Sequence, residues 1–408
     1  MRWLMLAVLF AARGCMALQF QSLGAVAPLA GPDLGLDHAA MGTLIGLYWL
    51  PGVFLALPAG LLGRRMGLER LAILGLVLMA AGGEVLAVAA GYPAAAAARL
   101  LAGSGNALLS VLVSAMVAEW FRDRELSTAL AIVFDSWPFG LAAAIAAFPA
   151  LAATTDSWRW AIHAASAACA LAALLVAATY RSPTQRQAPF GLDVALPPAA
   201  PARPVGWRRW GSSSLAGLLV PTLAAVVWTA YNAGHIVVLT YAPPMLAGFA
   251  RQPLADASAT VSLAVWAALA STPLGGWLAD RTGRPGLPVL VGALGSAAVG
   301  LALAAGMQGG FGYLVFGLFM GLPAGSILAL PARAALNPAD APRMLGWFMA
   351  LYYLLLTLAQ MLAGFVRQWS ASDATTVLLG CILLAIVAGA LLPIRLLARA
   401  QLSALAAR

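Results

Sequence analysis

The chain of 408 residues is 62% hydrophobic and 9% charged, with a mean hydropathy of +0.91. An ordinary soluble domain is about 45–50% apolar and about 25% charged, and a surplus this large cannot be hidden from water inside a folded body. The composition therefore excludes a soluble enzyme, a disordered chain and a disulfide scaffold, and it points to a polytopic, all-α membrane protein.

The net charge is +9, from 23 basic and 14 acidic residues, and every basic residue is Arg. The arginines sit in short clusters between apolar runs and form no continuous basic face, so nucleic acid is not an expected partner. Cys15, Cys169 and Cys381 lie inside apolar runs and read as small buried hydrophobes. His38, His163 and His235 are scattered, and neither a metal site nor a cofactor is expected.

Arg2 and the apolar stretch Trp3 to Ala12 resemble a signal peptide, but Arg13 interrupts the stretch and helical sequence continues to Pro28. The segment reads as an uncleaved first span. A span needs about 20 mostly apolar residues. Twelve are expected, at 4–30, 41–62, 71–91, 93–118, 128–149, 159–180, 213–241, 258–279, 287–306, 311–331, 344–367 and 375–394. With the N-terminus inside, 18 of the 23 arginines fall on the cytoplasmic side, and only Arg159, Arg251 and Arg367 fall outside. This positive-inside bias puts both termini in the cytoplasm of a multi-pass protein of the cell (inner) membrane.

Residues 181–212 carry six prolines and five arginines and read as a cytoplasmic linker. The linker divides the chain into an N-terminal six-helix bundle (1–180) and a C-terminal one with a short tail (213–408). The halves repeat. Ala27-Pro28 matches Ala242-Pro243, and Gly60, Arg65 and Gly67 match Gly276, Arg281 and Gly283, at offsets of 215 and 216. Parallel half-repeats with a site between them are a transporter architecture.

Gly276-Trp-Leu-Ala-Asp280-Arg281-Thr-Gly283-Arg284 resembles the loop motif of the major facilitator superfamily. In the first copy, Gly60 to Gly67, Arg64 stands where that family has Asp. Arg99-Leu-Leu-Ala-Gly103-Ser-Gly105 looks like the family's R-x-x-x-G-x-G motif in span 4. Phe121 to Ser127 and Asp135 to Gly140 loosely resemble its cyanate and nitrate-type branches.

The resemblance implies two pseudo-symmetric bundles, alternating access, a monomer, and a central cavity lined by spans 1, 4, 7 and 10. It also implies a latch from Asp280 to the start of span 5 near Ser127. Gly276 and Gly283 would give the tight turn and close helix approach that such a loop needs.

An ionisable side chain within a span costs about 2.5–3.5 kcal/mol on insertion scales and is a functional candidate by default. Arg13, Glu84, Arg99 and Asp135 are of this kind. Their depths suggest pairs of Glu84 with Arg99 and of Arg13 with Asp135. These pairs are either static, or they include a carboxylate that exchanges a proton during the cycle, with Glu84 and Asp135 as the coupling candidates.

Polar stripes add Gln19 and Gln21 in span 1, and Arg99, Gly103, Asn106, Ser110 and Ser114 in span 4. Trp228, Tyr231, Asn232 and His235 follow in span 7, and Tyr353, Thr357 and Gln360 in span 11. The stripes read as cavity lining or as polar helix–helix glue. The expected function is secondary transport of a small solute, coupled to protons. Two arginines favour an anion, whereas Trp137, Trp228 and Tyr353 suit an exporter of hydrophobic or cationic compounds. A non-transporting membrane sensor or assembly factor is the alternative of another class. No Walker-type or nucleophile–base pattern suggests an enzyme.

Overall fold

A computed structural model describes residues 2–121, 125–181, 215–284, 286–324, 327 and 341–406. These residues are helical, with no strand among them. The first half contains α1 (Arg2–Asp33), α2 (His38–Leu47), α3 (Gly52–Met66), α4 (Leu68–Ala87), α5 (Tyr92–Phe121), α6 (Leu126–Thr154) and α7 (Arg159–Thr179). The second half contains α8 (Leu215–Ala250), α9 (Leu254–Thr282), α10 (Gly286–Ala304), α11 (Gly310–Gly321), α12 (Ala341–Ser370) and α13 (Asp373–Ala406). Eleven stretches are long and apolar enough to cross a bilayer, and Gly310–Gly321 is a shorter apolar one. Helices α2 and α3 together form the second span, so the chain crosses twelve times and both termini lie on one side. We call that the terminal side and its opposite the distal side. Most of the linker at 181–212 falls outside the described residues.

The second span departs from the expected continuous helix over 41–62. It breaks between Leu47 and Gly52. Pro51 is the cause, because its ring nitrogen has no hydrogen for the carbonyl of Leu47 and the ring crowds that turn. The repeat survives in the backbone: Gly67 and Gly283, at equivalent loop positions, both have positive φ, +89° and +62°.

Within the first half, α1 lies against α6 and α7, and α4 against α5 and α7. Within the second, α8 packs on α12 and α13, and α9 on α11. Contact between the halves runs mainly through α2 and α3 on α12, and α6 on α9. The α2–α12 seam has almost no side-chain volume. A Cβ added to Gly42 would lie 2.6 Å from the Gly364 Cα, and one on Gly46 would lie 2.6 Å from the Thr357 oxygen. At its distal end the Gln368 amide oxygen accepts from the His38 main-chain N–H at 3.0 Å. At its deep end the Tyr353 ring covers Gly52, and its hydroxyl lies 3.2 Å from Ser110 Oγ. The halves are thus closed along the distal half of α12.

Overpacking a close interface costs about 1–3 kcal/mol. Gly42→Val should lower the melting temperature of the purified protein by several degrees. Gly248→Ala, where an added Cβ meets nothing within 4 Å, should leave it unchanged.

Candidate functional site

The break in the second span organises the centre of the protein. The end of α2 leaves carbonyls without helical partners. Arg99 of α5, 1% exposed, fills this need: its Nε donates to the Leu44 oxygen at 3.1 Å. Nη1 and Nη2 donate to the Gln19 and Phe20 oxygens of α1 at 3.4 and 3.3 Å, and the guanidinium lies over the Tyr48 ring, 4.5 Å from its centroid. Gly103, one turn on, lets the chain approach there; a Cβ on it would lie 2.2 Å from the Tyr48 oxygen. Gly105 on another face admits the Gly75 oxygen of α4 in the same way, at 2.1 Å. The R-x-x-x-G-x-G segment therefore ties three helices together.

Arg13 of α1 solves a parallel problem. In α6, Pro138 removes the N–H that would serve the Phe134 carbonyl. Arg13 Nη1 donates to that carbonyl at 2.6 Å, to the Val133 oxygen at 3.2 Å and to Ser136 Oγ at 3.5 Å. Its guanidinium also lies 4.4 Å from the Phe134 ring centroid. Asp135, half-buried, directly follows Phe134 on α6. At about 1.5 Å rise per residue, Arg13, Asp135 and Tyr353 sit at similar depths, some ~14–18 Å from the terminal-side ends of their helices.

An aromatic wall completes the site. Trp49, released into the interior by the break, packs its ring 4.8 Å from Phe20, 5.7 Å from Trp137 and 6.1 Å from Tyr353. The Trp49–Tyr353 contact crosses from the first half to the second, where the rings continue through Tyr352 (5.2 Å) to Trp228 (6.3 Å) and Tyr231 (5.5 Å). In the first half, buried polar atoms lack protein partners, among them Trp49 Nε1 in the wall, the Gln21 amide nitrogen of α1 and the Asn106 amide oxygen of α5. Such atoms mark places where water or a solute completes the hydrogen bonding.

Several sequence expectations are corrected. Glu84 does not meet Arg99. It lies on the outside of α4, where its Oε2 is 2.8 Å from His163 Nδ1. Arg99 points inward to the carbonyls of α1 and α2, and the hairpin between α4 and α5 turns the two side chains to different faces. His235 does not line the centre either, and Tyr231 joins the wall by its ring alone. The Tyr231 hydroxyl donates to the Met320 oxygen at 2.7 Å, and His235 Nε2 lies 3.4 Å from Ser296 Oγ with Phe316 beside it. They pin the second half internally, because one arc of α8 touches several neighbours. Asn232 and Trp228 stay half-buried, with Asn232 Nδ2 donating to the Trp228 oxygen at 2.8 Å.

In the last two turns of α9, an added Cβ at Gly276 would meet nothing within 4 Å. The close approach expected there falls at Gly275, against the Leu322 oxygen at 2.1 Å. Arg281 and Arg284 are exposed, and the Arg281 guanidinium sits 5.1 Å from the Trp277 ring. The expected latch lies outside the described side chains, since those of Asp280, Ser127 and Arg64 are not among them.

The profile of the Major Facilitator Superfamily matches residues 9–343, most of the chain. The chain belongs to the Major Facilitator Superfamily. Among curated proteins, the Inner membrane transport protein YajR of Escherichia coli (strain K12) is 32% identical over 112 residues; that stretch is 28% of this chain and 24% of YajR. The fold is similar to that of a bacterial homologue of the human lysosomal transporter Spinster, solved inward-facing and unoccupied (TM-score 0.74, 15% identity, 98% and 97% of the two chains). It is also similar to the inward-open xylose transporter XylE from E. coli (0.72, 15%, 94% and 95%) and to a point mutant of the nucleoside transporter NupG (0.69, 14%, 97% and 99%). Like other members, this superfamily protein is a multi-pass membrane transporter for a small solute and not an enzyme.

Hydrogen bonds to a charged group contribute about 1.5–3 kcal/mol each, so Arg99's carbonyl bonds offset its insertion cost. Arg99→Lys should not substitute, because one ammonium cannot span carbonyls on two helices. The expected result is a melting temperature lower by at least ~5 °C for both Arg99→Lys and Arg99→Gln, read by thermal unfolding in detergent.

Proposed function

We propose that the protein is a proton-coupled secondary transporter of a small organic anion with an apolar or aromatic body. The observation that carries this reading is the placement of Arg13 and Asp135 at one depth on neighbouring helices, with Arg13 bonded to the Phe134 carbonyl next to Asp135 and Tyr353 of the second half at a similar level. The anionic group would take the guanidinium edge of Arg13, and the body would rest on Trp49, Trp137, Phe20 and Tyr353.

Asp135 is the coupling group in this reading. With both ionised, Arg13 and Asp135 sum to zero. Protonation of Asp135 leaves the guanidinium without a counter-charge and admits an anion. Loss of that proton restores the pair and expels the anion. Solute and proton then move together as a neutral unit, which lowers the cost of carrying charge through a low-dielectric path. Glu84, on the outer surface with His163, has no place in this cycle. The arginine distribution and the name of the YajR relative support an inner-membrane protein with cytoplasmic termini.

A second reading is export of hydrophobic cations, favoured by the continuous aromatic wall. Rings stabilise cations by about 0.5–2 kcal/mol each, and Asp135 would supply the counter-charge. The readings separate in proteoliposomes with an imposed pH gradient, tested with small carboxylates, benzoate and lactate among them, and with lipophilic ammonium dyes. Arg13→Gln should reduce carboxylate uptake at least tenfold. Dye transport with unchanged carboxylate behaviour would select the second reading instead.

Asp135→Asn should keep solute counterflow but lose uptake driven by the pH gradient. Counterflow without a gradient is the control that separates coupling from binding. Pro138→Ala returns an N–H to the Phe134 carbonyl and competes with Arg13 for it. Carboxylate KM should change several-fold while the melting temperature stays or rises.

A further inference from the structure

Glu84 and His163 are hydrogen-bonded to each other in an unusual place. Their side chains are 51% and 35% exposed. Glu84 shares its helix face with Val77, Ala81 and Val88, all exposed, Val88 at 73%. His163 shares its face with exposed Ala167, Ala170 and Leu174, the last at 66%. α4 and α7 lie side by side, so these faces form one apolar surface that must meet lipid chains.

Glu84 is three residues from the distal end of α4, and His163 four from the distal end of α7. At about 1.5 Å per residue both groups lie roughly 5–6 Å below the helix ends, at the border between chains and headgroups. Trp160, exposed one turn away, stands edge-on to the His163 ring at 5.5 Å, in the position of an interfacial tryptophan.

One turn nearer the distal rim, Arg159 is held by Asp33 and donates through Nη2 to the Ala89 oxygen at 3.4 Å, with about a third of its side chain exposed. The surface is therefore a carboxylate, an imidazole, a guanidinium and an indole on an otherwise apolar lipid-facing wall. With the ring proton on Nδ1 donating to Glu84 Oε2, Glu84 Oε1 and His163 Nε2 remain as acceptors. Two acceptors beside an indole face fit an ammonium group, and the exposed edge of Arg159 fits a phosphate.

We propose that this surface is a binding site for a phospholipid whose headgroup carries a primary ammonium, the phosphatidylethanolamine class, in the distal leaflet. Three N–H donors of the ammonium satisfy both acceptors. A trimethylated headgroup has no N–H and cannot. The acyl chains lie along the face of Val77, Ala81, Ala170 and Leu174. The site is separate from the central cavity and does not depend on the transport reading above.

The test places the full-length protein in nanodiscs of equal anionic content, made with phosphatidylethanolamine or with phosphatidylcholine. The expected melting temperature is higher by at least ~3 °C in phosphatidylethanolamine. Glu84→Gln and His163→Phe, both on the surface, should each abolish most of that difference while keeping the value in phosphatidylcholine. Equal temperatures in the two lipids would overturn the proposal, as would a difference that persists in both variants. So would a concentration-dependent dimer, lost in Glu84→Gln and insensitive to headgroup, because the face would then belong to a second copy of the chain.

Discussion

In hydrocarbon every main-chain carbonyl needs a donor, and this fold is organised by the places where a helix cannot supply one. The break after Leu47 and the proline at position 138 each free carbonyls in the middle of the protein, and an arginine from a different helix answers each of them. The pairing works in both directions. The carbonyls make the two guanidinium groups tolerable where an unpaired charge would not be, and the guanidinium groups make the interruptions tolerable where an orphaned carbonyl would not be. The interruptions in turn do what a straight helix cannot: they turn Tyr48 and Trp49 into the interior and fix the Phe134–Trp137 turn beside Asp135.

The closure between the halves rests on a different balance. Between helices in lipid there is little hydrophobic gain, since acyl chains are as apolar as leucine, so association depends on close fit. The glycine seam of α2 on α12 supplies such a fit over several turns. In a transporter the alternative to the closed seam is a wetted opening and not lipid, so the apolar burial recovered on closing is a true hydrophobic term. A seam made of backbone and small residues can part and re-form without disentangling long side chains. The few polar ties across it, at Tyr353–Ser110 and His38–Gln368, set register at its two ends.

The twelve crossings, the duplication and the family were legible in the sequence, because hydropathy, arginine placement and glycine spacing are all local signals. The partners of the charges were not. Depth along a helix placed Glu84 and Arg99 at one level but could not give the direction each side chain takes around its axis, and that angle sends one to lipid and the other to the core. The span 7 stripe misled for the same reason: an arc holding Trp228, Tyr231, Asn232 and His235 is wide enough to touch two or three neighbours. The Tyr48-Trp49-Leu-Pro51 run carried a signal that a hydropathy window smooths away. A proline in the middle of an apolar span, preceded by two aromatics, is the mark of a break that exposes rings. Pro138, four residues after Phe134, was readable in the same way as the source of a carbonyl that Arg13 could meet.

The distribution of charge between the halves constrains how such a protein can work. The central turns of the first half carry Arg13, Arg99 and Asp135, whereas among the described residues those of the second half hold no carboxylate or guanidinium. The second half brings aromatic rings, tyrosine hydroxyls and amides to the interface instead. A rocking motion between the halves therefore moves neutral dipoles past a fixed group of charges. No ion pair between the halves need break at mid-depth, where re-solvation would be slow and costly. The barrier to such a motion would be set by close packing along the seams, and, on the proposed proton-coupled reading, the bias between its end states by the charge of Arg13 and Asp135. On that reading the switch lies in the first half and the second half acts as the moving wall.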